Sequence, residues 1–240
     1  AYLSTKSLAE VDRVKRDIIR LYDKDFIRID PTGKASAMFK AIPSELTRNS
    51  SRYQVASVTE NGRANRLLET ITNMGESMVV NMAYHANDPG PGMAFHKDTS
   101  TFKMFVGDTG LFVTLAFWDK EFTDNVIYQK LLTDKLSKDL GYVYENVVAQ
   151  MLVASGNELY YHTFPTESGK HRYEVDFLIP DGDKVVPIEV KSSGYKAHVS
   201  LDAFCTKFSS RVSRPYLIYT KDLRKEGNLL YLPVYMTMFL

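Results

Sequence analysis

The stretch Tyr173-Glu174-Val175-Asp176-Phe177, followed by Pro187-Ile188-Glu189-Val190-Lys191, decides how this chain is read. Both runs alternate apolar and polar residues, and Pro180-Asp181-Gly182-Asp183 between them carries turn residues, so together they read as one hairpin. With a tight turn centred on Asp181-Gly182, Asp176 lies opposite Pro187 and diagonal to Glu189. Side chains alternate across a strand, and directly opposed residues share a face. Asp176, Glu189 and Lys191 then project from one side, and Val175, Phe177, Ile188 and Val190 from the other. Diagonal neighbours are roughly 7–8 Å apart at their backbones, close enough for two carboxylates to share a cation. The same alternation also describes the solvated face of an antiparallel sheet, and spacing alone leaves that alternative open.

The spacing Asp-x(12)-Glu-x-Lys resembles the active-site signature of the PD-(D/E)XK nuclease superfamily. The resemblance implies that Asp176 and Glu189 hold Mg²⁺ or Mn²⁺, since such hard cations take one or two carboxylates and keep several waters. It implies that Lys191 holds or activates the attacking water and offsets charge on a phosphoryl group. It also implies an acidic residue on the helix before the hairpin, and Glu145 fits. Val175 stands where many such nucleases carry proline, a departure that tunes the strand more than the chemistry.

The 240 residues have room for one large domain or two ordinary ones, with the 44% hydrophobic and 25% charged content of a soluble globular protein. A single cysteine, Cys205, excludes an intrachain disulfide and a cysteine-based zinc cluster. No run approaches a membrane span, and the start lacks a signal-peptide pattern, so the chain reads as cytoplasmic with no membrane partner. Its net charge of +1 argues against a large nucleic-acid footprint, so any basic surface must be local.

Leu8, Val11, Val14, Ile18 and Leu21 recur at helical spacing, and Pro31-Thr32-Gly33 ends that helix. A second helix follows through Met38, Phe39 and Ile42, and a third after Asn61-Gly62. Two strands, Ser77 to Tyr84 and Thr101 to Val106, flank the loop 87–92. Helices followed by such a hairpin suggest a winged helix-turn-helix at about residues 35–117. A nucleic-acid-reading version would seat Arg63 and Arg66 in the major groove, though two arginines on a helix also describe a solvated face. Asp108 and Gly110 suit a tight turn. From residue 118 onward, Val126 to Leu140 forms a helical stripe, and a helix over Tyr142 to Ala154 leads into a strand at Leu159 to Phe164. The motif hairpin, a helix over Leu201 to Val212, a strand at Tyr216 to Tyr219 and an edge strand at Leu229 to Met236 carrying Pro233 complete the order. The fold class is thus α+β or α/β, with a restriction-endonuclease-like domain on a central mixed sheet.

Ile42-Pro43-Ser44-Glu45-Leu46, Leu67-Leu68-Glu69, Gly107-Asp108-Thr109-Gly110-Leu111 and Tyr144-Glu145-Asn146 join the two motif strands in a wider resemblance. In this combination the chain resembles, over nearly all its length, the C-terminal portion of a group of prokaryotic AAA+-type ATPases. There an N-terminal P-loop domain precedes a winged helix and a PD-(D/E)XK-like domain of unassigned function. The resemblance implies that residues 1–34 remain from the ATPase lid, 35–117 form the winged helix and 118–240 the nuclease-like domain. No G-x-x-x-x-G-K-[ST] occurs, so ATP is expected only through a separate N-terminal domain, which would also be a partner.

His85, His96, His162, His171 and His198 show no metal-ligand spacing and read as surface or loop histidines. Lys196, Lys207, Arg211 and Arg214 suit a phosphate groove, the last three on one side of a helix. Two functions follow as expectations: a Mg²⁺-dependent phosphodiesterase acting on nucleic acid, or the same fold kept as a DNA- or protein-docking module.

Overall fold

The computed structural model describes residues 1–48, 51–57, 67–119 and 141–240. Helix α1 (Tyr2–Thr5) precedes α2 (Leu8–Ile29), whose first turn is capped by the Ser7 hydroxyl accepting from the Glu10 N–H. The carboxylate of Asp30 takes the backbone N–H groups of Thr32 and Ala35, turning the chain into α3 (Lys34–Thr47). Helix α4 (Leu68–Glu76) leads to strand β1 (Val80–Ala86), which pairs antiparallel with β2 (Lys97–Val106). Asp108 is a helix cap rather than a turn residue. Its side chain accepts the Leu111 N–H at 2.8 Å and starts α5 (Thr109–Ala116).

Helix α6 (Gly141–Ala154) follows, then β3 (Leu159–Pro165), β4 (Arg172–Asp181), β5 (Lys184–Val190), α7 (Val199–Lys207), β6 (Tyr216–Tyr219), β7 (Arg224–Glu226) and β8 (Leu229–Pro233). All eight strands belong to one mixed sheet of order β2-β1-β3-β4-β5-β6-β8-β7. The sheet runs unbroken across the boundary expected at residues 117 and 118. Strand β1 joins β3 in parallel, Ala83 beside Leu159, so the first hairpin forms the outer strands of the same sheet as the motif hairpin. The helix expected around Arg63 and Arg66, and the stripe from Val126 to Leu140, lie outside the described residues.

Two further expectations are corrected. Strand β8 lies between β6 and β7 instead of at the edge. Pro233 is tolerated because it is the last residue of the strand, where its missing N–H interrupts no ladder. In the motif hairpin, Asp181 pairs with Lys184, so the turn is centred on Gly182-Asp183. This puts the positive φ of Gly182, 60°, at the first central position, where primed hairpin turns require it.

The sheet carries core on both faces. Helix α6 brings Val148 and Leu152 against Tyr161, Phe177, Ile188 and Ile218. Helix α7 brings Phe204 against Tyr160, Phe164, Val175 and Leu178. A third cluster, with Phe39, Ile42 and Met74 at its centre, packs α2 to α5 against β1 and β2. Asn146, fully buried on α6, locks these parts together. Its amide accepts the Val106 N–H and donates to the Val106 carbonyl, both at 2.9 Å, satisfying both backbone groups of the last residue of β2.

Candidate functional site

The turn correction shifts the hairpin register by two residues. An even shift leaves each side chain on its face. Phe177 pairs with Ile188, and continuing the ladder by one residue sets Asp176 beside Glu189 rather than diagonal to it. A β-bulge then changes the other half of the expectation. Tyr160 pairs with Leu178 and His162 with Val175, so three residues of β4 span what two span on β3. Val175 therefore enters the core beneath α7 and Phe177 the core beneath α6, instead of sharing a face. Asp176 sits in the bulge, and its Oδ2 accepts the Val190 N–H at 2.8 Å.

Asp176, Glu189, Lys191 and Glu145 are brought within electrostatic reach of one another. Glu189 is 5% exposed; its Oε1 lies 2.6 Å from the Lys191 ammonium, and its Oε2 is buried with no hydrogen-bond partner among the described residues. Burial first, and then the charge of Asp176, pushes the Glu189 carboxyl up to about 8, against the pull of Lys191. The same two causes push Glu145 up to about 7, partly offset by Lys103. Asp176 is raised as well, by burial, with Lys103 pulling it down and Glu174 pushing it up. Asp176 and Glu145 retain some exposed surface, yet protein atoms enclose them closely enough for desolvation to dominate. Burial pulls the Lys191 ammonium down, but the charges of Glu189, Asp176 and Glu145 together outweigh it and hold the lysine above its usual value.

The sequence reading missed Lys103 of β2. It is 7% exposed, ion-paired to Glu174 and directed toward Glu145 and Asp176, whose negative charges outweigh its burial and hold it protonated. The signal was one lysine in the apolar run Phe102-Lys103-Met104-Phe105-Val106. A cavity of about 560 Å³ reaches this group and is lined by Lys103, Glu145 and Glu174 together with Arg48 and Arg172.

Crowded carboxylates with an unpartnered buried oxygen have the donor chemistry of a hard-cation site. Among the described residues no three His, Cys, Asp or Glu side chains form a ready-made metal cage. Asp176 and Glu189 are the two carboxylates that could hold such a cation, with water as the remaining ligands. Residues 140–236 match the Domain of unknown function (DUF4143). No curated protein and no solved structure matches the chain. The matched span includes Glu145, Glu174, Asp176, Glu189 and Lys191, while Lys103 and both strands of the first hairpin lie outside it.

The other candidates are scattered. Lys207 is exposed over the Phe164 and Phe208 rings, and Arg211 is ion-paired to Asp88, both on the α7 side of the sheet. Lys196 is exposed in the loop after Lys191. Arg63 and Arg66 lie outside the described residues. Two histidines correct the surface reading: His85 and His162 are buried, their rings stacked at 5.3 Å between centroids. Among the described residues no helix is long and apolar enough to cross a membrane.

Proposed function

We propose that the chain is a nuclease-like module, a Mg²⁺-dependent phosphodiesterase acting on nucleic acid and governed by an ATPase domain outside this sequence. One observation carries the reading: Asp176, Glu189, Glu145 and Lys191 share one partly enclosed site, with a buried carboxylate oxygen left without a partner. Asp176 and Glu189 would hold the cation, which when bound would supply Lewis-acid chemistry. Lys191, steered by Glu189, would orient the attacking water and meet charge on the phosphoryl group; Glu145 would position the lysine or that water. The match of residues 140–236 to a domain typical of the C-terminal region of AAA-type ATPase proteins supports the ATPase link. ATP would enter only through that other domain, since the phosphate-cradling motif is absent from these 240 residues.

Titration with Mg²⁺ or Mn²⁺ tests the site. Each should raise the melting temperature of the wild type, because a ligand that binds only the folded state stabilises it. Asp176→Asn should remove most of that gain. Lys191→Ala should keep the metal response and lose cleavage of supercoiled or single-stranded DNA, with Glu145→Ala intermediate. An equal metal response in wild type and Asp176→Asn sinks the metal site. A second reading, a docking module without chemistry, draws on the ion pairing of Lys191 to Glu189 and of Lys103 to Glu174, which occupies the site's own lysines. Metal binding without cleavage of any nucleic acid would favour it.

A further inference from the structure

The 560 Å³ cavity beside the carboxylates lies between the C-terminal end of α3 and the start of β4. Its volume falls within the roughly 300–1,000 Å³ of small-ligand sites. Arg48 comes from one wall, His171 and Arg172 from the other, and the buried Lys103 from β2. Three fixed cations and a histidine thus face two carboxylates, Glu145 and Glu174. Two other cavities lean the opposite way. One of about 430 Å³ sets Glu76 and Glu158 against Lys97, and one of about 380 Å³ sets Asp202 and Glu226 against His198.

Both arginines are anchored with donors to spare. Arg172 donates from Nε and Nη2 to the Thr163 hydroxyl and carbonyl at 3.1 and 2.8 Å. Arg48 donates from Nη1 to Glu45 at 2.6 Å, while Glu45 itself is buried and also accepts from the Gln54 N–H and the Ser57 hydroxyl. A guanidinium carries five N–H donors in a rigid fork, so each arginine keeps donors in a geometry suited to phosphate oxygens. Glu145 lines the cavity and feels the negative charge of Asp176, so a strand seated there approaches the carboxylates.

We propose that this cavity seats the phosphodiester backbone of a single nucleic-acid strand, with Arg48 and Arg172 contacting phosphate from opposite walls. The proposal rests on the nucleic-acid reading above and names the surface that holds the substrate. Enclosure on this scale suits a strand end or a splayed single strand better than an intact duplex. It also moves the basic contacts away from Lys207 and Arg211, across the sheet.

The test is the binding of a fluorescently labelled single-stranded oligodeoxynucleotide, and of its RNA counterpart, to the full chain in EDTA. Arg48→Gln and Arg172→Gln should each weaken binding about tenfold, the value of one charge-assisted hydrogen bond. Each should also flatten the dependence of log K on log salt by about 0.7, the share of one single-strand phosphate. Arg48 and Arg172 are both exposed and lie on separate elements, so each variant reports on binding even if the other loses stability. Unchanged binding by Arg48→Gln, loss of binding only in Lys207→Gln or Arg211→Gln, or no binding by the wild type overturns the proposal. Binding that needs both arginines but leads to no cleavage with Mg²⁺ keeps the strand seat and removes the phosphodiesterase. Cleavage indifferent to both arginines does the reverse.

Discussion

Two clusters of polar side chains in this sheet, one around Glu189 and Glu145 and one at the β1–β3 seam, are finished differently. At the seam, His85 uses both ring nitrogens, toward the Asn87 side-chain oxygen and the Thr163 hydroxyl, each at 3.2 Å. His162 lies against it, its Nδ1 bonded to the Ala86 carbonyl at 2.7 Å. Burial pushes both histidines down, His162 to about 4, so both are neutral and the seam needs nothing further. Around Glu189 the carboxylates repel one another, and one of its own oxygens lacks a partner among the described residues. The seam is satisfied by its own chain, whereas the carboxylate group is the incomplete one, which is where the proposed cation would act.

Lys103 is the sharpest point at which to break the contrast. Lys103→Met leaves Glu174 beside Glu145 and Asp176 without its cation, and should cost about 3 kcal/mol in urea unfolding, the lower end of the penalty for splitting a buried pair because Glu174 is partly exposed. Adding Glu174→Gln should recover most of it. A loss under 1 kcal/mol in the single variant would mean that water already screens the group.

The pH dependence comes next, because the two groups have opposite signs. His162 has a folded pKa below its unfolded value of 6.5. Its contribution is complete above that value and is lost as pH falls toward 4, by about 3 kcal/mol at 1.36 kcal/mol per unit. Glu145 and Glu189 have folded values raised from 4.5 to about 7 and about 8. Their protonated forms favour the native state at low pH, and that advantage fades as pH rises toward 8. His162→Gln should therefore flatten the loss of stability between pH 6.5 and 4 in denaturant titrations. An unchanged acid limb would place the titrating groups elsewhere.

The smallest effect isolates the carboxylates. Glu189→Gln removes a charge facing Asp176 and Glu145 and should raise metal-free stability at pH 8 by about 1 kcal/mol, on the scale of one net hydrogen-bond or charge interaction. The gain should vanish by pH 5, where the wild-type carboxyl is already protonated. A gain that persists at pH 5 would point to packing instead of repulsion.

Alternation in 173–177 and 187–191 was enough to make the hairpin legible, and with it the grouping of Asp176, Glu189 and Lys191. The helix carrying Glu145 and the strands flanking it were also legible, because they follow local periodicity. The register was misplaced because Asp181-Gly182 and Gly182-Asp183 both read as turn centres, and only the position of the positive φ separates them. The opposed placement of Val175 and Phe177 was hidden for a similar reason: the bulge is a mismatch between β4 and a partner strand, not a property of either run.

Sequence by itself thus determined the chemistry of the motif strands, the spacing of their acids and lysine, and the lack of a phosphate-cradling loop. These depend on residue type and short-range period. Tertiary structure alone decided that the first hairpin extends the same sheet, that Lys103 crosses from it to face Glu174, and that two histidines with no shared spacing stack in the core. The physical reason is distance along the chain. Lys103 and Glu174 are 71 residues apart, and His85 lies 78 residues from its bonding partner Thr163. Such contacts are set by how strands pair, and strand pairing between distant segments leaves no local period to read.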